Sequence, residues 1–99
     1  MSMFSLQTPK EHARLVAERV RSYRIAKGLT LKRLSEQSGV SFSSYRRFER
    51  TGEISFVSLI SVAQVLGCEQ QINNLFSDQE FASLDEIDAV EKKSPKRRR

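Results

Sequence analysis

From Ser41 to Arg50 the chain reads Ser-Phe-Ser-Ser-Tyr-Arg-Arg-Phe-Glu-Arg. On a helical period Tyr45 and Phe48 turn inward as a pair, and Ser43, Ser44, Arg46, Arg47 and Arg50 are left on the outer face. The chemistry of such a face is recognition. A guanidinium presents a rigid fork of donors that matches guanine O6 and N7 together. Small serines let a backbone approach a ligand closely, and Ser41, as a helix cap, leaves the positive helix end available to a phosphate. A short helix with a small, basic outer side fits the major groove of duplex DNA. Covalent chemistry has no comparable set. With one histidine (His12), one cysteine (Cys68) and scattered carboxylates, the chain offers no convergent acid, base and nucleophile and no protein-only zinc site. The reading is therefore no enzyme, no metal and no cofactor. His12 reads as a surface residue, and Cys68 as a buried apolar substitute.

The elements that position this face are punctuated clearly. Thr8-Pro9-Lys10-Glu11 is a capping box with proline at the first helical position, opening a helix over residues 9–27 with Val16, Val20 and Tyr23 on one face. Gly28 stops it. Thr30 caps a second helix, Leu31 to Ser38, in which Leu31 and Leu34 face the first, and Gly39 ends it. Only Val40 and Ser41 then precede the helix from Phe42 to Arg50, so helix, three-residue Gly-containing turn and helix follow in order. After the loop Thr51-Gly52-Glu53-Ile54, Ser55 caps a fourth helix, Phe56 to Leu66, with Phe56, Leu59, Ile60, Ala63 and Leu66 inward and Gly67 as its stop. Glu69 to Leu75 is a short fifth helix. The expected fold is all-α, five helices in one small domain.

Charge divides the rest. Residues 1–76 hold eleven Lys/Arg against six Asp/Glu, residues 77–91 hold six acidic and no basic residues, and residues 92–99 hold six basic and no acidic ones. The organisation read from this is an N-terminal arm (1–8), a helical domain (9–76), an acidic extension (77–93) and a disordered basic tail (94–99). In the extension, Ser83-Leu84-Asp85-Glu86 repeats the capping-box pattern, and Leu84, Ile87 and Val90 form a narrow apolar stripe on a helix. Several readings stand for the extension: a solvated solubility segment, a segment that repels DNA locally or shields the basic tail, or a strap that docks on a dimer mate or a basic partner surface. The basic tail reads as non-specific affinity for phosphates. No apolar run approaches a membrane span, and residues 1–9 lack the basic start and apolar run of a signal peptide. The expected location is a reducing cytoplasm, associated with the nucleoid.

The segment Arg19 to Leu66 resembles the phage Cro/repressor, or XRE, helix-turn-helix family, with the likeness covering roughly residues 13–67. It rests on Gly28-Leu29-Thr30, Leu34 four residues after Thr30, Ser38-Gly39-Val40-Ser41 and Arg47-Phe48-Glu49-Arg50. The resemblance implies base contacts from Phe42, Ser43, Ser44 and Arg47 and phosphate contacts from Arg46 and Arg50. Thr30 and Ser41 stand on the same DNA side at the helix starts. It also implies a structural ion pair between Arg24 and Glu49, and a homodimer on a palindromic operator. Three positions depart from the family pattern: Leu31 replaces a phosphate-clamping Gln, Ser35 replaces Ala, and Phe42 replaces a polar base reader. Phe42 either packs on a thymine methyl or folds back on the protein.

The flanks resemble HipB-like antitoxins, the DNA-binding partners of HipA-like kinase toxins. The strings are Ser5-Leu6-Gln7-Thr8-Pro9, the run from Tyr45 to Ser55, Asn74-Leu75-Phe76, and Phe81-Ala82-Ser83-Leu84-Asp85-Glu86-Ile87 before the basic tail. What this implies is a repressor of its own toxin-antitoxin operon with a HipA-like kinase as partner. The alternatives are a toxin-docking module in which DNA binding is secondary, and a stand-alone regulator.

Overall fold

The computed structural model describes residues 7–78. Most of the N-terminal arm, the acidic extension and the basic tail lie outside the described residues, and with them the stripe of Leu84, Ile87 and Val90. Among the described residues the fold is all-α, as expected, with five helices and no strand: α1 (Pro9–Ala26), α2 (Leu31–Ser38), α3 (Phe42–Thr51), α4 (Phe56–Leu66) and α5 (Glu69–Asn73).

Local chemistry explains the helix starts. The Thr8 amide donates to Glu11 Oε1 at 2.9 Å and the Glu11 amide donates back to Thr8 Oγ1 at 3.1 Å, which closes the capping box on α1. Thr30, Ser41 and Ser55 each accept from the amide three residues on, at 3.0, 3.2 and 3.1 Å. Each such cap satisfies a donor that the helix cannot, a contribution of about 1 kcal/mol.

Tyr45, Phe48, Leu34 and Val62 are the largest fully buried side chains, joined by Ala17, Val40 and Leu66. The rings of Tyr45 and Phe48 sit 5.8 Å apart at 50°. Burying side chains of this size contributes roughly 1.5–3 kcal/mol each. Val40, in the turn between α2 and α3, is itself a core residue. The hydroxyl of buried Ser35 donates to the Val40 carbonyl at 2.6 Å, and the Val40 amide donates to Ser38 Oγ at 3.2 Å. The serine that replaces the family's alanine thus ties the end of α2 to the turn.

Helix bounds follow the sequence reading closely, but two faces differ. Val16 and Tyr23 of α1 are 38% and 43% exposed, and the fully buried residue is Ala17. The stripe that meets α3 is built from small residues, because Gly52 at the end of α3 lies against the backbone at Ala13. In α4, Phe56 points outward at 52% exposure while Val62 is fully buried. The polar residues Ser58, Ser61 and Gln64 mark the outer side, but Phe56 in the first turn lies at the edge of the groove formed with α1 and α5, where it is only partly covered. Cys68 is half-buried, with its thiol donating to the Leu66 carbonyl at 3.7 Å. Finally, α5 ends at Asn73. The Leu75 amide donates to the Ile72 carbonyl, and Ser77 donates through both its amide and its hydroxyl to the Asn74 carbonyl, which tightens the chain into a turn.

Two glycines separate strain from crowding. Gly39 and Gly52 both hold the left-handed backbone, with φ of +78° and +86°. A Cβ at Gly39 would meet nothing within 4 Å, whereas one at Gly52 would sit 2.7 Å from the Ala13 carbonyl carbon and 2.8 Å from the Arg14 amide nitrogen. Gly39→Ala should cost about 1–2 kcal/mol of conformational strain. Gly52→Ala should cost roughly 1–3 kcal/mol more, because the obstacle is backbone. Urea denaturation followed by circular dichroism measures both, and equal losses would mean that α1 yields freely to α3.

Candidate nucleic-acid interface

The outer face of α3 is built by burying the opposite one. With Tyr45 and Phe48 in the core, Ser41, Phe42, Ser43, Ser44, Arg46, Arg47 and Arg50 are all left exposed, and Thr30 at the start of α2 is exposed as well. The eight positions singled out for DNA therefore share the solvent-accessible surface of α2 and α3. Phe42, the first residue of α3, is 47% exposed, an aromatic ring left half in solvent at the start of that helix.

Behind this face Arg24 of α1 and Glu49 of α3 form a two-pronged ion pair. Arg24 Nε donates to Glu49 Oε2 at 2.7 Å and Nη2 donates to Oε1 at 3.1 Å. The third arm of the guanidinium, Nη1, donates to the Leu29 carbonyl at 2.7 Å, and the Tyr45 hydroxyl donates to Glu49 Oε2. The side chains of Arg24 and Glu49 are only 11% and 8% exposed. Arg21 adds a looser contact to Glu49 at 3.9 Å. The hydrogen bond to Glu49 raises the affinity of Arg24 for its proton against the opposing effect of burial. Burial first, and then the hydrogen bond to Glu49, hold the Tyr45 hydroxyl above the ordinary tyrosine range. The Arg24–Glu49 pair thus joins α1, α3 and the loop before α2.

The exposed arginines of α3 differ from one another. The guanidinium of Arg47 is paired through Nη2 with Glu53 Oε1 in the loop after α3. Both groups line a shallow cleft with Ser44, Ile54, Ser55 and Ser58. Glu53 is a residue that sequence reasoning passed over as part of a loop. The signal was an acidic residue directly after the Gly52 stop. His12 is exposed. Among the described residues no cluster of His, Cys, Asp and Glu could hold a metal, and no helix is long and apolar enough to cross a membrane.

A family model for helix-turn-helix proteins matches residues 20–69, which spans α2, α3 and α4 together with the C-terminal part of α1. No curated protein matches the chain.

Breaking the brace is a measurable event. Glu49→Gln leaves a nearly buried guanidinium without its counter-charge and should cost about 3 kcal/mol, the lower end for a buried pair, because the side chains of Arg24 and Glu49 keep 11% and 8% of their surface exposed. The sign for Tyr45 runs the other way from a carboxylate. A pKa raised by folding gives stability that is fully present below the unfolded value near 10 and lost as pH rises through the higher folded value. Stability measured against pH should therefore fall on the alkaline side of 10, and in Tyr45→Phe that limb should flatten. An unchanged limb would mean that Tyr45 ionises freely in the folded domain.

Proposed function

The chain belongs to the Cro/C1-type helix-turn-helix family of DNA-binding transcription regulators, and from that premise we propose that it is a dimeric repressor that lays α3 in the major groove of a palindromic operator. The observation that carries the proposal is the exposed serine- and arginine-bearing side of α3, held outward by the buried Tyr45–Phe48 pair and by the Arg24–Glu49 brace. Ser43, Ser44, Arg47 and Phe42 are the base readers. Arg46 and Arg50 take phosphates, with Thr30 and Ser41 at the helix starts contributing amide ends. The half-exposed Phe42 ring favours the thymine-methyl reading of that side chain over one in which it folds back on the protein.

Dimerisation is supported by an apolar groove between α1, α4 and α5, lined by Val16, Tyr23, Phe56, Leu59, Leu75 and Phe76. Phe56 is 52% exposed, Leu75 49% and Phe76 87%. Phe76 also holds a left-handed backbone, φ +59°, which a bulky residue adopts only at a cost. A second copy covering this side would bury the ring that the strained backbone presents. Reading a palindromic operator requires that the dimer hold its two copies of α3 about one turn of DNA, roughly 34 Å, apart.

The finer reading is an antitoxin that represses its own operon and engages a HipA-like kinase. Its support is the likeness of the flanking strings to HipB-like chains, and the acidic residues 77–91 supply a surface of opposite sign for a basic partner.

Gel shifts on duplexes selected by the protein from a randomised pool test the first reading. Arg47→Ala should relax preference at one base pair per half-site. Arg46→Ala and Arg50→Ala should weaken binding to all sequences alike and lower the salt slope by roughly one each. Unchanged preference and affinity in Arg47→Ala would remove α3 as the reader. For the antitoxin reading, a chain truncated after Phe76 should lose co-purification with the product of the adjacent reading frame. Full retention would place the docking element elsewhere.

A further inference from the structure

The pairing of Arg47 with Glu53 has a supporting structure that a chance surface contact lacks. The Thr51 hydroxyl donates to the Arg47 carbonyl at 2.8 Å, and the Glu53 amide donates to that same Thr51 oxygen at 3.1 Å. The Glu53 carboxylate then accepts from Arg47 Nη2. Three hydrogen bonds make a closed ring in which the backbone of Glu53 is anchored, through Thr51, to the very residue its side chain holds. The turn that permits this is set by Gly52, whose missing Cβ lets the chain lie against the Ala13 and Arg14 backbone. Glu53 is therefore placed by the fold. Among the described residues it is the one hydrogen-bond partner of the Arg47 side chain.

The pair is also open. Side-chain exposures of 61% for Arg47 and 43% for Glu53 leave the guanidinium able to meet a base edge while still held. A guanidinium carries five N–H donors, so a single bond to Glu53 leaves a fork available. A carboxylate at this place repels phosphates and so disfavours every DNA sequence. What it supplies in return is orientation of one arginine.

We infer that Glu53 is a specificity-determining positioning residue, which aims the Arg47 guanidinium at one base pair and lowers general affinity for DNA. The inference rests on the reading of α3 as the base-contacting helix. Its consequence is an asymmetry: loss of the carboxylate damages discrimination at a single position and leaves the others intact.

The experiment uses the full chain and duplexes that it selects from a randomised pool. These are then varied one base pair at a time, with binding measured for wild type, Glu53→Gln, Arg47→Ala and the double variant. In Glu53→Gln, discrimination at the base pair read by Arg47 should fall about fivefold, a part of what a good bidentate contact supplies, while binding to unselected duplex tightens. In the Arg47→Ala background the Glu53 change should have no further effect at that base pair. Thr51→Val, which cuts the ring without touching charge, should reproduce part of the loss in discrimination with no gain in general affinity. The inference is overturned if Glu53→Gln leaves discrimination unchanged while Arg47→Ala abolishes it. It is also overturned if Glu53→Gln sharpens discrimination, since Glu53 would then compete with DNA for the arginine. If Arg47→Ala itself leaves preference unchanged, the reading of α3 falls, and the role of Glu53 with it.

Discussion

Glu49 carries a carboxylate into a nearly buried place on a helix whose other side is lined with arginines. Unpaired, such a charge would cost several kcal/mol, and the helix would rotate to return it to water. The bidentate fork of Arg24 removes that option, and the Tyr45 hydroxyl takes a second lone pair of Oε2. Since Arg24 also holds the Leu29 carbonyl, the same guanidinium fixes where the chain leaves α1 on its way to α2. The rotation of α3 about its own axis, and so the choice of side chains it shows to a groove, depends on this carboxylate. Apolar packing of Tyr45 and Phe48 supplies more energy, but packing alone tolerates small rotations that a two-pronged hydrogen-bonded pair does not.

A second constraint sets distance where the first sets angle. Gly52 and Ala13 place backbone against backbone, and Ala17 is buried without a large side chain to hold the helices apart. Close approach of α1 to α3 shortens the reach that Arg24 needs to meet Glu49. The end of α3 is also pinned, and from it the chain turns directly into the loop that carries Glu53. Stability and recognition are thus built from the same few residues at one helix end.

Much of this was readable from residue order. Helix starts and stops are local events, and Thr8, Thr30, Ser41 and Ser55 with Gly28, Gly39 and Gly67 mark them almost without error, since caps and left-handed stops depend on a few neighbouring residues. The outward serines and arginines of α3 were equally readable, because burying Tyr45 and Phe48 leaves them no other side, while the third aromatic, Phe42 at the helix start, was left open between two orientations. What escaped depends on contacts distant in sequence. Val16 and Tyr23 looked like the buried side of α1 because size suggests burial, yet the neighbour across the interface is a glycine, and small residues fit it better. Phe56 shares the apolar side of α4, but it sits in the first turn over an open groove, and helical periodicity does not report how far a groove is filled. Ser35 reads as a tolerated substitution until Val40 folds back to accept its hydroxyl. The pairing of Glu53 with Arg47 crosses a helix terminus, where helical periodicity no longer applies.

The brace and the loop place different demands on the same helix. Arg24 and Glu49 are nearly dry and so hold α3 firmly. Arg47 and Glu53 lie in solvent, where a single pair contributes little to folding, so the reason to keep a carboxylate there is sought in recognition. An arginine on a mobile stem reaches phosphate as readily as guanine, and a protein that must choose one site among many is limited by that indifference. A nearby carboxylate makes the phosphate contact less favourable and narrows the directions the fork can take, so some affinity is exchanged for selectivity. In this domain the buried charge pair aims the helix, and the exposed one aims a single side chain on it.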